Sequence, residues 1–126
     1  NKQAGARKKP ERVEATLSCE LRLTLVKKND IHITSKRNFD CFQDTELDML
    51  LRRTLNVKNI IICGVNTDTC VYGTTFGASN RGYNPIVIEC CTGSMRGEDQ
   101  HNTALKIMSQ SIAWVMKKEE ILNKLN

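Results

Sequence analysis

Residues 59–71 read Asn-Ile-Ile-Ile-Cys-Gly-Val-Asn-Thr-Asp-Thr-Cys-Val, and this stretch decides the predicted fold. Its first part, residues 60–65, is a short, mostly apolar and β-branched run, typical of a central parallel strand that is covered on both faces. Cys63 within this run is expected to pack as a small hydrophobic residue. Cys70 stands where the next helix begins. Because unpaired N–H groups and a positive dipole end favour a thiolate there, Cys70 is a candidate nucleophile.

Downstream of this stretch, helical and strand patterns alternate. The segment 68–80 is predicted to be a helix that lies close on a sheet through Gly73, Gly77 and Ala78, and Gly82 is expected to end it. The remaining patterns predict a strand at 85–89, a helix at 100–109, a strand at 112–116 with Trp114 in the core, and a helix at 119–125. Such alternation indicates a three-layer α/β/α, Rossmann-like parallel sheet.

Upstream, the patterns are less regular. Apolar residues at every second position of 17–25 favour a strand, but a helical spacing of four through Val13, Leu17, Leu21 and Leu25 competes with it. A turn over 27–30 and a short strand around Ile31 and Ile33 are predicted next. A helix follows, capped by Asp44 or Thr45, with apolar residues at helical spacing: Leu47, Leu50, Leu51 and Leu55.

The charge of the chain is concentrated at its start. The chain has 126 residues and a net charge of +5, of which the first twelve residues carry most. We therefore divide it into a basic, disordered tail at 1–12 and one domain at 13–126. A short basic arm without aromatic residues can still touch nucleic acid or an acidic partner, but the nearly neutral domain argues against a nucleic-acid-binding protein.

Six cysteines bear on cofactors and on the compartment. They occupy positions 19, 41, 63, 70, 90 and 91, without a CxxC pair and without ligand-like spacing to His32 or His101, so we expect no metal and no cofactor. The sequence contains no signal-peptide pattern and no apolar stretch of membrane-spanning length, which predicts a reducing, cytoplasmic compartment and no membrane partner. A first residue other than Met is compatible with a fragment or a processed product.

Two motifs resemble those of a known family. Residues 64–71, Gly-Val-Asn-Thr-Asp-Thr-Cys-Val, resemble the nucleophile motif of the isochorismatase-like cysteine hydrolases. Residues 36–42, Lys-Arg-Asn-Phe-Asp-Cys-Phe, are similar to the lysine segment of that family. Arg81-Gly82-Tyr83 and residues 98–105 resemble later boundaries. The resemblance covers about residues 30–122, and the order and separation of the two motifs make it fairly specific.

The resemblance implies hydrolysis of a C–N bond in a small amide or ureide through a cysteine thioester. Cys70 matches the nucleophile, and Lys36 matches the lysine whose charge supports the thiolate. The family's non-proline cis peptide would fall between Val65 and Asn66, so that the N–H groups of Asn66 and Cys70 hold the oxyanion. Phe42 is expected to bind substrate or, equally, to belong to the core.

The resemblance is incomplete at one point. The family's catalytic Asp follows its first strand, and no segment before Lys36 matches it, so the sheet is predicted to lack the family's first strands. A truncated, catalytically impaired subunit that binds or oligomerises is therefore the alternative function, and sheet edges in so short a chain favour a homo-oligomer. His101 is interpreted as a capping or surface residue. Cys90 and Cys91 are expected to pack, with one of them close to the mouth of the cleft as the alternative.

Overall fold

The computed structural model describes residues 27–126, and the chain divides into two units, residues 1–32 and 33–126. In the first unit, the Asp30 N–H donates to the Lys27 carbonyl at 3.0 Å, and the Lys27 N–H donates to the Asp30 carboxylate at 2.8 Å. These bonds close the predicted turn. The basic tail at 1–12 and the alternating stretch at 17–25 lie outside the described residues, as does the domain start predicted at residue 13.

The second unit alternates helices with parallel strands. Its elements are, in chain order, α1 (Leu47–Thr54), β1 (Asn59–Val65), α2 (Thr67–Asn80), β2 (Asn84–Gly93), α3 (Glu98–Ser111), β3 (Trp114–Met116) and α4 (Lys118–Leu125). Two of the helices contain a π-helical segment: α1 ends with one at Leu50–Thr54, and α2 begins with one at Thr67–Val71. In the described residues the sheet has three parallel strands in the order β1-β2-β3. The predicted α/β class with a parallel sheet is confirmed.

Two predictions about single elements have opposite outcomes. Gly82 has a φ of 78°, a conformation that glycine adopts at little cost, and its N–H donates to the Ser79 carbonyl at 3.0 Å, so α2 ends as predicted. The short strand predicted around Ile31 and Ile33 is wrong, because residues 31–37 form neither helix nor strand.

One face of the sheet forms the core. Ile62 of β1 pairs with Val87 of β2, which pairs with Val115 of β3, so their side chains form a row across the sheet. This row packs against α3 through Leu105 and Met108, which lie on one face of that helix. The same cluster contains Val71 and Ala104. The core therefore ties β1, α2 and α3 together directly beneath the turn that carries Cys70.

A second, smaller cluster joins α1 to α2. Phe42, Ala78 and Tyr83 are buried together, with Leu47 and Leu51 of α1 packed against them. The Tyr83 hydroxyl also donates to the Asp48 carboxylate of α1 at 2.7 Å. That hydrogen bond lowers the pKa of Asp48, while burial, followed by the bond to Asp48, raises the pKa of Tyr83.

The opposite face of the sheet is only partly covered by the described residues. Its row is formed by Ile61, Ile86 and Trp114, which are register partners. Trp114 is 69% exposed, so its predicted place in the core is wrong, and so is the expectation that β1 is covered on both faces. The reason is that burial on this face depends on elements that lie over it, and Ile61 too remains exposed.

Three cysteines also differ from expectation. Cys63, Cys90 and Cys91 are all exposed, although each was expected to pack. β1 is one of the two edge strands of the described sheet, and the pairing of β1 with β2 shifts register between Ile62 and Gly64. The irregular part of β2 carries Cys90 and Cys91, whose sulfur atoms are 4.0 Å apart. None of the helices within residues 27–126 is long and apolar enough to cross a membrane.

The core assignment predicts different effects for two neighbouring residues of α3. Met108 has no exposed surface, whereas Ile107 is 42% exposed. We expect Met108→Ala to lower the free energy of unfolding by about 2–5 kcal/mol, because it leaves a cavity. Ile107→Ala should cost less than about 1 kcal/mol. Urea unfolding followed by circular dichroism measures both, and equal losses would contradict the assigned core.

Candidate active site

The turn after β1 places Cys70. The peptide bond between Val65 and Asn66 is cis. Asn66 precedes α2 in an extended conformation, and its carbonyl accepts hydrogen bonds from the N–H groups of Thr69 at 3.1 Å and Val71 at 3.0 Å. The hydrogen bond from Val71 joins residues five positions apart, which makes the first turn of α2 π-helical. Single π-helical turns are rare and occur often at functional sites, and here the turn carries the half-buried Cys70.

Lys36 lies beside Cys70. Its ammonium nitrogen is 3.9 Å from the Cys70 sulfur, although the two residues are 34 positions apart. A cation at this distance stabilises a negative charge by roughly 1–4 kcal/mol between the dielectric of water and that of a protein surface. The structure thus brings together the two residues that the sequence motifs single out.

The segment 36–42 packs against the face of α2 that carries Gly73 and Gly77. A Cβ atom at Gly73 would lie 3.4 Å from the Asp40 backbone nitrogen. Between the two glycines, the Thr74 hydroxyl accepts a hydrogen bond from the Cys41 N–H at 3.1 Å and contacts the Phe39 carbonyl at 3.3 Å. The prediction that this face lies on the sheet is therefore wrong for Gly73 and Gly77, because small residues permit close approach by a loop as well as by a sheet. Ala78 instead belongs to the cluster against which Ile60 of β1 packs.

Asp40 completes this attachment. Its carboxylate accepts a hydrogen bond from the Phe42 N–H at 2.8 Å and forms an ion pair with Arg81 at 3.4 Å. A Cβ atom at Gly77 would lie 2.6 Å from the Asp40 carboxyl carbon, too close for any unshifted side chain. The glycine therefore leaves the space that Asp40 occupies, and Asp40 fixes the segment that carries Lys36.

The residue before Lys36 is also held. The Ser35 hydroxyl donates a hydrogen bond to the Glu46 carboxylate, just before α1. This bond lowers the pKa of Glu46. Lys36 is thus anchored on one side to the start of α1 and on the other side to α2.

Lys36 and Cys70 line two neighbouring cavities. The larger has a volume of about 490 Å³, which is within the range of small-molecule pockets, and the smaller about 190 Å³. The larger is also lined by Arg37, Asn38, Phe39, Asp40, Gln43 and Gly73, and the smaller by Cys41, Ile62, Cys63, Gly64, Val65, Val71 and Thr74. A small molecule in either cavity would contact both the thiol and the ammonium group.

The aromatic residue in the larger cavity is Phe39. Phe42 is instead 4% exposed in the core, where its ring stacks on Tyr83 with 5.6 Å between ring centroids. The structure thus agrees with the alternative interpretation of Phe42 as a core residue and not with a substrate-binding one. The backbone N–H of Phe42 donates a hydrogen bond to the Asp40 carboxylate at 2.8 Å.

Sequence reasoning missed a polar cluster on the other side of the turn. Asp68 accepts a hydrogen bond from the Ser94 hydroxyl at 2.7 Å and forms an ion pair with Arg96 at 2.6 Å. Burial raises the pKa of Asp68, but the hydrogen bonds from Ser94 and Arg96 outweigh it and hold this pKa below its ordinary value. These residues follow the carboxyl ends of neighbouring parallel strands, where polar side chains converge, and that position was the available signal.

His101 was interpreted as a capping or surface residue, and the structure differs. Its side chain is half-buried, and its Nδ1 atom is 2.7 Å from the hydroxyl of the fully buried Thr67. His101 therefore binds the turn before Cys70. Within residues 27–126, no group of three or more His, Cys, Asp or Glu side chains is arranged to hold a metal ion.

Comparisons with known proteins address the family and the fold of the chain. A family model described as "Isochorismatase domain" matches residues 2–120, whereas the sequence motifs begin near residue 30. The uncharacterized isochorismatase family protein YecD of Escherichia coli O157:H7 is 35% identical over 77% of this chain and 50% of its own length. The chain spans about half the length of the curated relatives it matches.

Solved structures give the same result. The nicotinamidase SaPncA of Staphylococcus aureus is 33% identical, with a TM-score of 0.67 over 79% of this chain and 61% of that one. An isochorismatase-like hydrolase from Alkaliphilus metalliredigens has a TM-score of 0.74 over 80% of this chain and 53% of that one. At 24% identity, the second likeness concerns the fold alone. The resemblance drawn from the two motifs is confirmed.

The attachment of Asp40 to α2 predicts a difference between two glycines. We expect Gly77→Ala to push Asp40 away and to lower the rate at which iodoacetamide modifies Cys70 by about tenfold, because Lys36 moves with its segment. Gly73→Ala should stay within about threefold of the parent, since its Cβ atom meets neighbours at 3.4 Å. Peptide mapping by mass spectrometry measures both rates. The assigned attachment is wrong if Gly73→Ala is the more damaging change.

The lowered pKa of Asp68 predicts a pH dependence of stability. A carboxyl group with a lowered folded-state pKa stabilises the fold above its ordinary value of about 3.9, and this contribution is lost as the pH falls through the folded-state value. We therefore expect the difference in unfolding free energy between the parent and Asp68→Asn to shrink from pH 6 to pH 2.5. Urea titrations across this range measure it, and a constant difference would refute the ion-pair assignment.

Proposed function

The chain belongs to the isochorismatase family, and we propose that it is a cysteine hydrolase that cleaves the C–N bond of a small amide or ureide. The observation that supports this most strongly is the 3.9 Å separation of the Lys36 ammonium and the Cys70 sulfur at the wall of two cavities. A thiol beside a cation at the start of a helix has the environment of an activated nucleophile.

In the proposed reaction, the Cys70 thiolate attacks the carbonyl carbon and forms a C–S bond. The C–N bond then breaks, and the amine or ammonia departs with the proton that the thiol has lost. Water attacks the resulting thioester, which releases the carboxylic acid and returns the thiol. Lys36 stabilises the thiolate before the attack, and its ammonium group also offsets the charge that develops during it.

The backbone around the turn has a role in the same proposal. The cis bond joins Val65 to Asn66 immediately before α2. We assign the oxyanion to the N–H groups of Asn66 and Cys70, because the family resemblance assigns them to matching positions. Fixed N–H donors of this kind stabilise the tetrahedral intermediate of acyl transfer more than the substrate.

The size of the site limits the substrate. A cavity of about 490 Å³ accommodates a single-ring or shorter amide. Nicotinamidase is the activity named for the Staphylococcus aureus structure, and nicotinamide is therefore one member of the panel to test. Free thiols at Cys41, Cys63 and Cys70 are compatible with a reducing cytoplasm. The partly covered sheet face supports a homo-oligomer as a further part of the proposal.

The test compares Cys70→Ala with Cys41→Ala on a panel of small amides and ureides. Cys41 lines the smaller cavity and is half-buried like Cys70, so it is a matched control. We expect Cys70→Ala to lower kcat by at least about a thousandfold, because no thioester can form. Cys41→Ala should retain activity within about threefold. Mass spectrometry of the quenched reaction should detect an acyl adduct on the peptide of Cys70.

An active Cys70→Ala variant would exclude the proposed mechanism. A parent chain that binds members of the panel without hydrolysing any of them would support the alternative function, a catalytically impaired binding or oligomerising subunit.

A further inference from the structure

We propose that Asp68 is a positioning residue for Cys70: held by Ser94 and Arg96, its carboxylate fixes the first turn of α2 so that the thiol stays beside Lys36. The inference rests on the proposed role of Cys70 as the nucleophile. Asp68 lies within the 64–71 motif, but its partners Ser94 and Arg96 belong to neither motif, and the segment 36–42 contacts α2 elsewhere.

The contacts of Asp68 use both oxygens of its carboxylate. One accepts the hydrogen bond from the Ser94 hydroxyl, and the other accepts the ion pair from Arg96. The Asp68 side chain is 10% exposed, whereas that of Arg96 is 54% exposed. The Ser94 hydroxyl also accepts a hydrogen bond from the Arg96 N–H at 3.1 Å, so the two partners hold each other in place. The carboxylate is therefore the enclosed centre of this cluster.

Asp68 is one of three consecutive residues that are attached to the chain after β2. The Asn66 side-chain oxygen accepts a hydrogen bond from the Met95 N–H at 2.9 Å, and the Thr67 hydroxyl is bonded to His101. These three residues shortly before Cys70 are thus fixed from the β2–α3 connection and from the first turn of α3. Cys70 follows two positions later in the same π-helical turn, so a shift of this turn moves the thiol relative to Lys36.

The charge of Asp68 makes the proposal testable by the sign of an effect. A carboxylate two residues from Cys70, at the start of a helix, opposes a thiolate there. If charge alone mattered, Asp68→Asn would accelerate alkylation of Cys70. If Asp68 positions the turn, the same substitution slows alkylation, because the ion pair with Arg96 is lost and the turn is no longer held.

The experiment measures iodoacetamide modification of Cys70 and Cys41 in the same molecules by peptide mapping at pH 7.5. We expect Asp68→Asn to lower the ratio of the Cys70 rate to the Cys41 rate by about tenfold, as for a misplaced reacting group. Asp99→Asn is the matched control, since Asp99 is an exposed acid in the first turn of α3 and should leave this ratio unchanged. A purely structural role would lower stability without lowering the ratio.

Ser94→Ala provides a second, charge-neutral variant in case Asp68→Asn does not fold. It removes the donor to Asp68 without changing any charge, and we expect it to lower the ratio by about threefold to tenfold. A ratio that rises or stays unchanged in the folded variants overturns the positioning role. If Cys70 of the parent chain is modified no faster than Cys41, the proposed nucleophile fails as well, so the two failures are distinguishable.

Discussion

The attachment of the segment 36–42 to the small-residue face of α2 is the constraint on which the site depends. Lys36 and Cys70 come from distant parts of the chain, and their 3.9 Å separation exists only because this segment is held. Thr74 binds its backbone, and Asp40 occupies the space that Gly77 leaves open. A larger residue in place of Gly77 would remove the contact that sets the charge beside the thiol.

The opposite side of the turn is held by different chemistry. There, the backbone N–H of Met95 and polar side chains that follow β2 hold three consecutive residues before Cys70, with the carboxylate of Asp68 at the centre. Beneath both attachments lies the apolar core, in which Val71 of the same turn is buried against β2 and α3. The thiol is therefore placed by packing from below and by hydrogen bonds on two sides, and the proposed acyl transfer would use this fixed placement.

Features of this structure that depend on periodic or local sequence patterns could be predicted from the sequence. Strand and helix patterns predicted β1, α2 and the parallel sheet, and the two motifs identified Lys36 and Cys70, because such signals depend on neighbours along the chain. Exposure of Trp114 was not predictable, since it depends on which elements lie over its face of the sheet. The ion pair of Asp68 with Arg96 spans 28 positions, and the composition of the two segments does not reveal it.

The measurement that tests the account most directly is the rate of iodoacetamide modification of Cys70 at pH 7.5 in the parent chain and in Lys36→Met. Arg37→Met is the control, because Arg37 is the next residue, lines the larger cavity and carries the same charge. The account predicts that Lys36→Met slows modification by about tenfold or more, the equivalent of at least about 1.4 kcal/mol of lost charge stabilisation, while Arg37→Met changes it little. Equal rates in the parent and in Lys36→Met would contradict the claim that Lys36 activates the thiol.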